Sequence, residues 1–140
     1  MTFVLDANVL MSILISGRAF YKTVLGNDDF ITPEFALAEL NKYNQLITGK
    51  TKLTLVEHTR YAYFVFSRVA VLPYYLLQQD AIDKAHKLIG DTDPKDVSYL
   101  ALTIQTDTVL LTQDLPTCEA ARRKGFRKIT LFDEFLAKYT

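Results

Sequence analysis

Four acidic side chains are the residues of this sequence best suited to act together in chemistry: Asp6, Glu39, Asp96 and Asp114. Asp6 and Asp114 lie at or just after the end of an apolar run that is typical of a buried parallel strand. Ligands of open α/β sheets bind beyond the carboxyl ends of such strands, so both carboxylates are expected there. Carboxylates gathered without His or Cys favour Mg²⁺ or Mn²⁺, and the metal relieves the repulsion between the acids. A metal held in this way can activate water and stabilise charge on a phosphoryl oxygen.

Each acid also has a structural interpretation, which the sequence alone leaves open in most cases. Asp114 can start the turn that follows its strand, and Asp96 can complement a helix N-terminus that Asp93 caps. A structural reason is hardest to find for Asp6, because burying a charge on an apolar strand is costly. Glu39 interrupts the apolar face of its predicted helix, so a ligand role is the better interpretation of this residue.

Polar and basic side chains near these acids have two interpretations each. Asn8 can hold Asp6 or a metal-bound water, or it can cap the first helix. Thr112 can support the pocket beside Asp114, or it can be a strand-end hydroxyl without a role. The densest basic stretch either complements a helix C-terminus and a solvated turn or contacts a phosphate backbone beside the acidic pocket. This stretch comprises Arg122, Arg123, Lys124, Arg127 and Lys128.

The elements that must position these residues alternate between strands and helices along the whole sequence. Short strands are predicted over residues 2–5, 30–32, 69–72, 108–112 and 128–132. One of the helices between them is expected to begin at Pro33 and to end at Gly49. The aromatic-rich segment over residues 51–66 is expected to pack in the core or at a dimer face. This alternation predicts an α/β fold in which helices cover both faces of a mainly parallel sheet.

The length and composition are typical of one globular domain spanning residues 1–140. A hydrophobic content of 49% excludes a disordered or fibrous chain. The 16 basic and 16 acidic side chains cancel, which argues weakly against a dedicated nucleic-acid binder but not against a nuclease. The single cysteine, Cys118, cannot form an internal disulfide and is expected to be a small buried side chain. Because the sequence shows no signal segment and no apolar run of membrane length, the protein is expected in the cytoplasm.

With these residues in view, the sequence resembles PIN-domain proteins, particularly the small VapC-like toxin ribonucleases. Four matches occur in the family's order: VLDANVL at residues 4–10, TPEF leading to the glutamate and leucine at 39–40, DPKD running into YLAL at 93–102, and LTQD at 111–114. The first and third matches are fairly specific together, whereas the second is weak alone. The resemblance extends from about residue 2 to about residue 135.

The resemblance implies a three-layer α/β/α sandwich whose acids bind Mg²⁺ or Mn²⁺ and hydrolyse phosphodiester bonds, usually in RNA. Carried over by motif, Asp93 is similar to an auxiliary acid present in part of the family, and Asn8 and Thr112 are similar to residues that support the pocket. The four metal ligands implied by the same motifs are Asp6, Glu39, Asp96 and Asp114.

The function that the resemblance implies is a metal-dependent endoribonuclease, the toxin of a toxin–antitoxin pair. Its partners would be an RNA substrate, an antitoxin protein and a second copy of the chain. One alternative is a non-catalytic interaction module of the same fold. A second is an aspartate-based phosphatase, although Asn8 stands where a haloacid-dehalogenase-like phosphatase needs another aspartate. A dinucleotide-binding protein is excluded because no glycine-rich turn follows the first strand.

Overall fold

The central element of the fold is a five-stranded sheet. The computed structural model describes residues 1–90 and 94–139, with only the backbone described at Pro94. The strands are β1 (Thr2–Leu5), β2 (Asp29–Pro33), β3 (Val69–Leu72), β4 (Val109–Thr112) and β5 (Ile129–Leu131). They lie in the order β3-β2-β1-β4-β5, and every neighbouring pair is parallel. The prediction of a parallel sheet is therefore confirmed, with each strand within about two residues of its expected bounds.

Helices fill the connections between these strands. The α-helices are α1 (Ala7–Ser16), α2 (Ala19–Asn27), α3 (Phe35–Lys42), α4 (Asn44–Lys50), α5 (Leu55–Arg68), α6 (Gln79–Ile89), α7 (Val97–Thr106), α8 (Leu115–Arg123) and α9 (Phe132–Leu136). Short 3₁₀ turns cover Tyr74–Leu76, Pro94–Asp96 and Ala137–Tyr139. Even α5, which has 14 residues, is too short to cross a lipid bilayer, and the same holds for every other helix within the described ranges.

The sequence predicted one helix from Pro33 to Gly49, and this prediction is wrong because the structure has two shorter helices, α3 and α4, in this range. The chain leaves helical geometry at Tyr43, where φ is −105° and ψ is 21°, and a second helix starts at the next residue. Gly49 lies inside that second helix, where no atom apart from its chain neighbours and its own helix backbone lies within 4 Å of the position that a Cβ would take. A glycine near the exposed end of a helix costs little enough to be tolerated there, so it does not mark the helix end in this chain.

The strand order places the helices in two layers. From β1 through β2 to β3 the chain moves to one side of the sheet, whereas β4 and β5 lie on the other side of β1. Because crossovers between parallel strands are right-handed, α1 to α5 cover one face and α6 to α8 cover the other. The packing agrees, since α1 contacts α3, α4 and α5, and α7 contacts α6, β1, β2 and β4. The expected three-layer α/β/α sandwich is confirmed.

The two central strands create the crevice in which a site is expected. The connections that follow β1 and β4 leave in opposite directions, and ligands of open α/β sheets bind at such a point, outside the carboxyl ends of the strands. Beneath the crevice, Val4 and Leu5 of β1 and Leu111 of β4 are fully buried. Cys118 is also fully buried, as expected, and this burial raises the pKa of its thiol. The crevice therefore lies on a rigid apolar base.

Candidate active site

Asp6 is delivered to this crevice by the end of β1. Its side chain is 4% exposed, and both carboxylate oxygens accept hydrogen bonds. Oδ1 accepts from the backbone N–H of Val9 at 2.8 Å, and Oδ2 accepts from the Thr112 hydroxyl at 2.6 Å. Asp6 is thus the N-cap of α1, so the cap interpretation of Asn8 is wrong. Asn8 is exposed, lines the crevice and makes no hydrogen bond to Asp6.

The charge of Asp6 is disfavoured in this position. Burial raises the pKa of the Asp6 carboxyl group above its ordinary value, and the negative charge of Asp114 raises it further. The hydrogen bonds from Thr112 and from the backbone N–H groups of Val9 and Gln113 act in the opposite direction. A buried acid beside a second acid is an arrangement common at functional sites, because a bound cation offsets both effects.

Two threonine hydroxyls connect Asp6 to two further acids. The hydroxyl of Thr112 accepts a hydrogen bond from the backbone N–H of Asp114 at 3.0 Å. Asp114 caps α8 by accepting from the backbone N–H of Thr117 at 3.1 Å. The Thr117 hydroxyl in turn donates to Asp96 Oδ2 at 2.9 Å. The hydrogen bonds of Thr112 to Asp6 and Asp114 are consistent with the supporting role predicted for this residue. Thr117 was not predicted, because a threonine in the first turn of a helix is common in sequences.

Asp96 lies at the end of a 3₁₀ turn directly before α7. It occupies the N-cap position of that helix, but its side chain accepts no capping hydrogen bond there. Its contact with Thr117 points the carboxylate toward the crevice instead. The alternative, in which Asp96 complements a helix N-terminus that Asp93 caps, stays open because it depends on Asp93. Asp93, the auxiliary candidate, lies outside the described residues.

All four predicted acids line one cleft of about 310 Å³ above the ends of β1 and β4. Glu39 reaches it from α3, one turn after Phe35, whose ring meets the Tyr99 ring edge-on at 5.9 Å between centroids. The other polar or aromatic residues that line the cleft are Asn8, Tyr43, Lys95 and Tyr99. The structure thus brings together side chains that are separated by up to 108 positions in the sequence.

The donors in this cleft are carboxylate oxygens, which suit a hard divalent cation. Asp6, Glu39 and Asp114 form no ion pair with any residue in the described ranges. No three His, Cys, Asp or Glu side chains within those ranges already converge closely enough to hold a metal ion. The donor set fits Mg²⁺ or Mn²⁺, and a cation would have to draw the carboxylates further inward.

The basic stretch lies in the last turn of α8 and the residues that follow, whereas Asp114 caps the other end of that helix. The stretch begins at the far end of α8, eight residues or about 12 Å from the Asp114 cap, and comprises Arg122, Arg123, Lys124, Arg127 and Lys128. Arg122 binds the Ile129 carbonyl at 3.1 Å and Glu134 at 3.2 Å. Lys124 binds the Lys87 carbonyl at 2.7 Å, and Lys128 pairs with Asp107. These contacts support the interpretation in which the basic residues complement the C-terminus of α8 and the turn that follows it.

The comparisons with known proteins agree on the fold. A chain of VapBC2 from Rickettsia felis, solved with a DNA fragment from its promoter, is 14% identical with a TM-score of 0.60, covering 94% of this chain and 98% of that one. A PilT N-terminus domain protein from Sulfolobus solfataricus is 15% identical with a TM-score of 0.54, covering 99% and 92%. A domain of a functionally unknown protein from Methanocaldococcus jannaschii is 16% identical with a TM-score of 0.54, covering 94% and 90%.

The sequence comparisons settle the family. No curated protein matches the chain. The family model described as PIN domain matches residues 4–120, a range that contains every acid of the cleft. The chain belongs to the PIN domain family.

Proposed function

We propose that this protein is a metal-dependent endoribonuclease whose Mg²⁺ or Mn²⁺ is held by Asp6, Glu39, Asp96 and Asp114. PIN domains are generally nucleases and generally use divalent metal ions. The observation that carries the proposal is that these four acids line a single cleft at the switch point of a parallel sheet. Asp93 is retained as a proposed auxiliary ligand.

Several residues around the cleft each orient one or two of its acids. A bound Mg²⁺ or Mn²⁺ supplies activation of water and stabilisation of charge on a phosphoryl oxygen. Val9 and Thr112 fix the Asp6 carboxylate, so that its oxygens keep one orientation as the substrate enters. Thr117 holds the carboxylates of Asp96 and Asp114 from one position on α8. The hydroxyls and the helix cap therefore orient Asp6, Asp96 and Asp114 before a ligand arrives, and such preorganisation favours catalysis.

Aromatic side chains beside the cleft support a single-stranded nucleic acid as the substrate. A second pocket of about 320 Å³ shares Phe35 and Lys95 with the cleft and is lined by Tyr74. Tyr74 is 52% exposed and Tyr75 is 82% exposed. Exposed rings beside a cation are typical of surfaces on which unpaired bases stack, because every base has a π face.

The proposal predicts hydrolysis of RNA that depends on the metal. We expect cleavage of a mixed single-stranded RNA in Mn²⁺ or Mg²⁺ and none in EDTA, measured on gels with end-labelled substrate. We also expect Mn²⁺ alone to raise the melting temperature, because a ligand of the native state stabilises it. Cleavage that persists in EDTA would overturn the metal-dependent mechanism. Absence of both cleavage and a melting shift would favour the non-catalytic interaction module.

The orienting role of Thr117 gives a milder prediction. Thr117→Val keeps the backbone N–H that binds Asp114 but removes the hydroxyl that binds Asp96. We expect Mn²⁺ to bind about 10-fold more weakly, because residues that orient metal ligands contribute about 10- to 100-fold in affinity. The measurement is a Mn²⁺ titration followed by the melting temperature. Thr103→Val is the matched control, since that buried hydroxyl binds the Tyr99 carbonyl within α7 at 2.8 Å. Equal midpoints for the two variants would contradict the role.

The proposed biological setting is a toxin that pairs with an antitoxin and forms a homodimer. The likeness in fold to a chain of VapBC2 supports the pairing. The aromatic-rich segment expected in the core or at a dimer face forms α5, which has both buried and exposed side chains. Tyr61 is buried, whereas Leu55 is 78% exposed and Tyr63 is 74% exposed. That exposed apolar surface supports a protein partner. A short reading frame directly upstream would identify the antitoxin, and light scattering on the purified chain would measure the oligomer.

A further inference from the structure

The hydroxyl of Tyr99 is a buried donor without an acceptor. The residue is 3% exposed and lies at the cleft, and its Oη has no hydrogen-bond partner within the described ranges. The backbone N–H of Ala7 faces the same oxygen without reaching hydrogen-bond geometry, and it can only donate. Buried polar groups are normally paired, because an unpaired one costs stability. The position of this hydroxyl therefore requires a reason beyond packing.

Glu39 is the complementary case, an acceptor without a donor. Both oxygens of Asp6 accept hydrogen bonds, and Asp96 and Asp114 each accept at least one. The Glu39 carboxylate accepts none from the residues that the structure describes. It is consequently the acid of the cleft whose orientation is left open.

The packing of α3 brings Glu39 to the cleft that Tyr99 also lines. Phe35 precedes Glu39 by one turn, so both lie on the same face of α3, and the Phe35 ring contacts the Tyr99 ring edge-on. Burial raises the pKa of Tyr99, and the charges of Asp6, Glu39 and Asp96 raise it further. The phenol consequently stays protonated and remains a donor at neutral pH.

We propose that Tyr99 is the positioning residue of Glu39. When the cleft binds its cation, the Glu39 carboxylate turns to accept a hydrogen bond from the Tyr99 hydroxyl, which fixes the remaining oxygen toward the ion. Tyr99 then does for Glu39 what Thr112 does for Asp6 and Thr117 does for Asp96. The inference rests on the proposed metal-dependent function.

The first experiment compares Tyr99→Phe with Tyr61→Phe, two variants that each remove one buried hydroxyl. Tyr61 is 5% exposed, and its hydroxyl donates to the Ile13 carbonyl at 2.8 Å. Without metal, we expect Tyr99→Phe to melt at or up to about 3 °C above the wild-type temperature and Tyr61→Phe about 3 °C below it. In a Mn²⁺ titration of the melting temperature, we expect the midpoint of Tyr99→Phe to rise about 10-fold and that of Tyr61→Phe to stay unchanged.

The second experiment combines Tyr99→Phe with Glu39→Gln in a double-mutant cycle. If the hydroxyl acts through Glu39, removing it from the Glu39→Gln protein changes the Mn²⁺ midpoint less than twofold. Tyr99→Phe with a wild-type midpoint, a lowered metal-free melting temperature, or a full 10-fold effect in the Glu39→Gln background would each overturn the proposal. A wild-type protein that shows no Mn²⁺ shift would overturn the proposed function and this inference together, so the two failures are distinguishable.

Discussion

Asp6→Asn is expected to lower the rate of RNA cleavage by about a thousandfold or more, equivalent to about 4 kcal/mol of transition-state stabilisation. Asp6 is the most buried of the four acids that line the cleft. An amide cannot supply the negative charge that a divalent cation needs from its ligands. The measurement is the initial rate on labelled RNA at saturating Mn²⁺.

The fold of this variant is expected to remain intact, which separates chemistry from stability. Asparagine is as good an N-cap as aspartate, so the contact with the Val9 N–H can be kept. Because burial disfavours the Asp6 charge, the metal-free melting temperature should be at least that of the wild type. Asp29→Asn, which changes an exposed acid at the opposite end of the sheet, is the control with unchanged activity. Undiminished cleavage by Asp6→Asn would remove the proposed function.

The fold and the meeting of the acids could be predicted because both follow from local rules. Apolar runs that each lead to a helical segment indicate parallel strands, and the carboxyl ends of parallel strands share one edge of the sheet. Asp6 and Asp114 follow such runs, and β1 and β4 are neighbours. Glu39 was predicted by a different argument, because it interrupts the apolar face of its helix and packing does not explain an acid in that position. These inferences depend only on sequence periodicity and on the position of a residue at the end of its element.

The remaining features depend on contacts between distant residues, which periodicity does not contain. Thr117 in the first turn of α8 binds Asp96 just before α7, a contact between residues 21 positions apart in the sequence. The basic stretch is near Asp114 in sequence, but the rise of α8 carries it to the other end of the helix. The structural role of Asp6 was overlooked because an acid at a strand end can also cap the helix that follows. One carboxylate thus serves both the fold and the proposed chemistry.

Thr112→Val is expected to lower both stability and activity. Its hydroxyl donates to Asp6 Oδ2 and accepts from the Asp114 N–H, and valine of similar shape can do neither. Leaving two buried or half-buried groups unpaired should cost about 2 kcal/mol, lowering the melting temperature by about 6 °C. Loss of the contact that orients Asp6 should lower the cleavage rate by about 100-fold. Thermal melts and initial rates at 20 °C, well inside the folded range, measure the two effects separately.

Thr32→Val separates the loss of orientation from the loss of stability. Thr32 is a fully buried strand threonine whose hydroxyl donates to the Leu5 carbonyl at 2.7 Å, and it touches none of the acids. We expect the melting temperature to fall by about 3 °C, because one short buried hydrogen bond is lost instead of the two that Thr112→Val removes. Its cleavage rate at 20 °C should stay within about twofold of the wild type. If both threonine variants lose activity equally, the effect of Thr112 comes from a loosened sheet, whereas a loss confined to Thr112→Val assigns it to the orientation of Asp6.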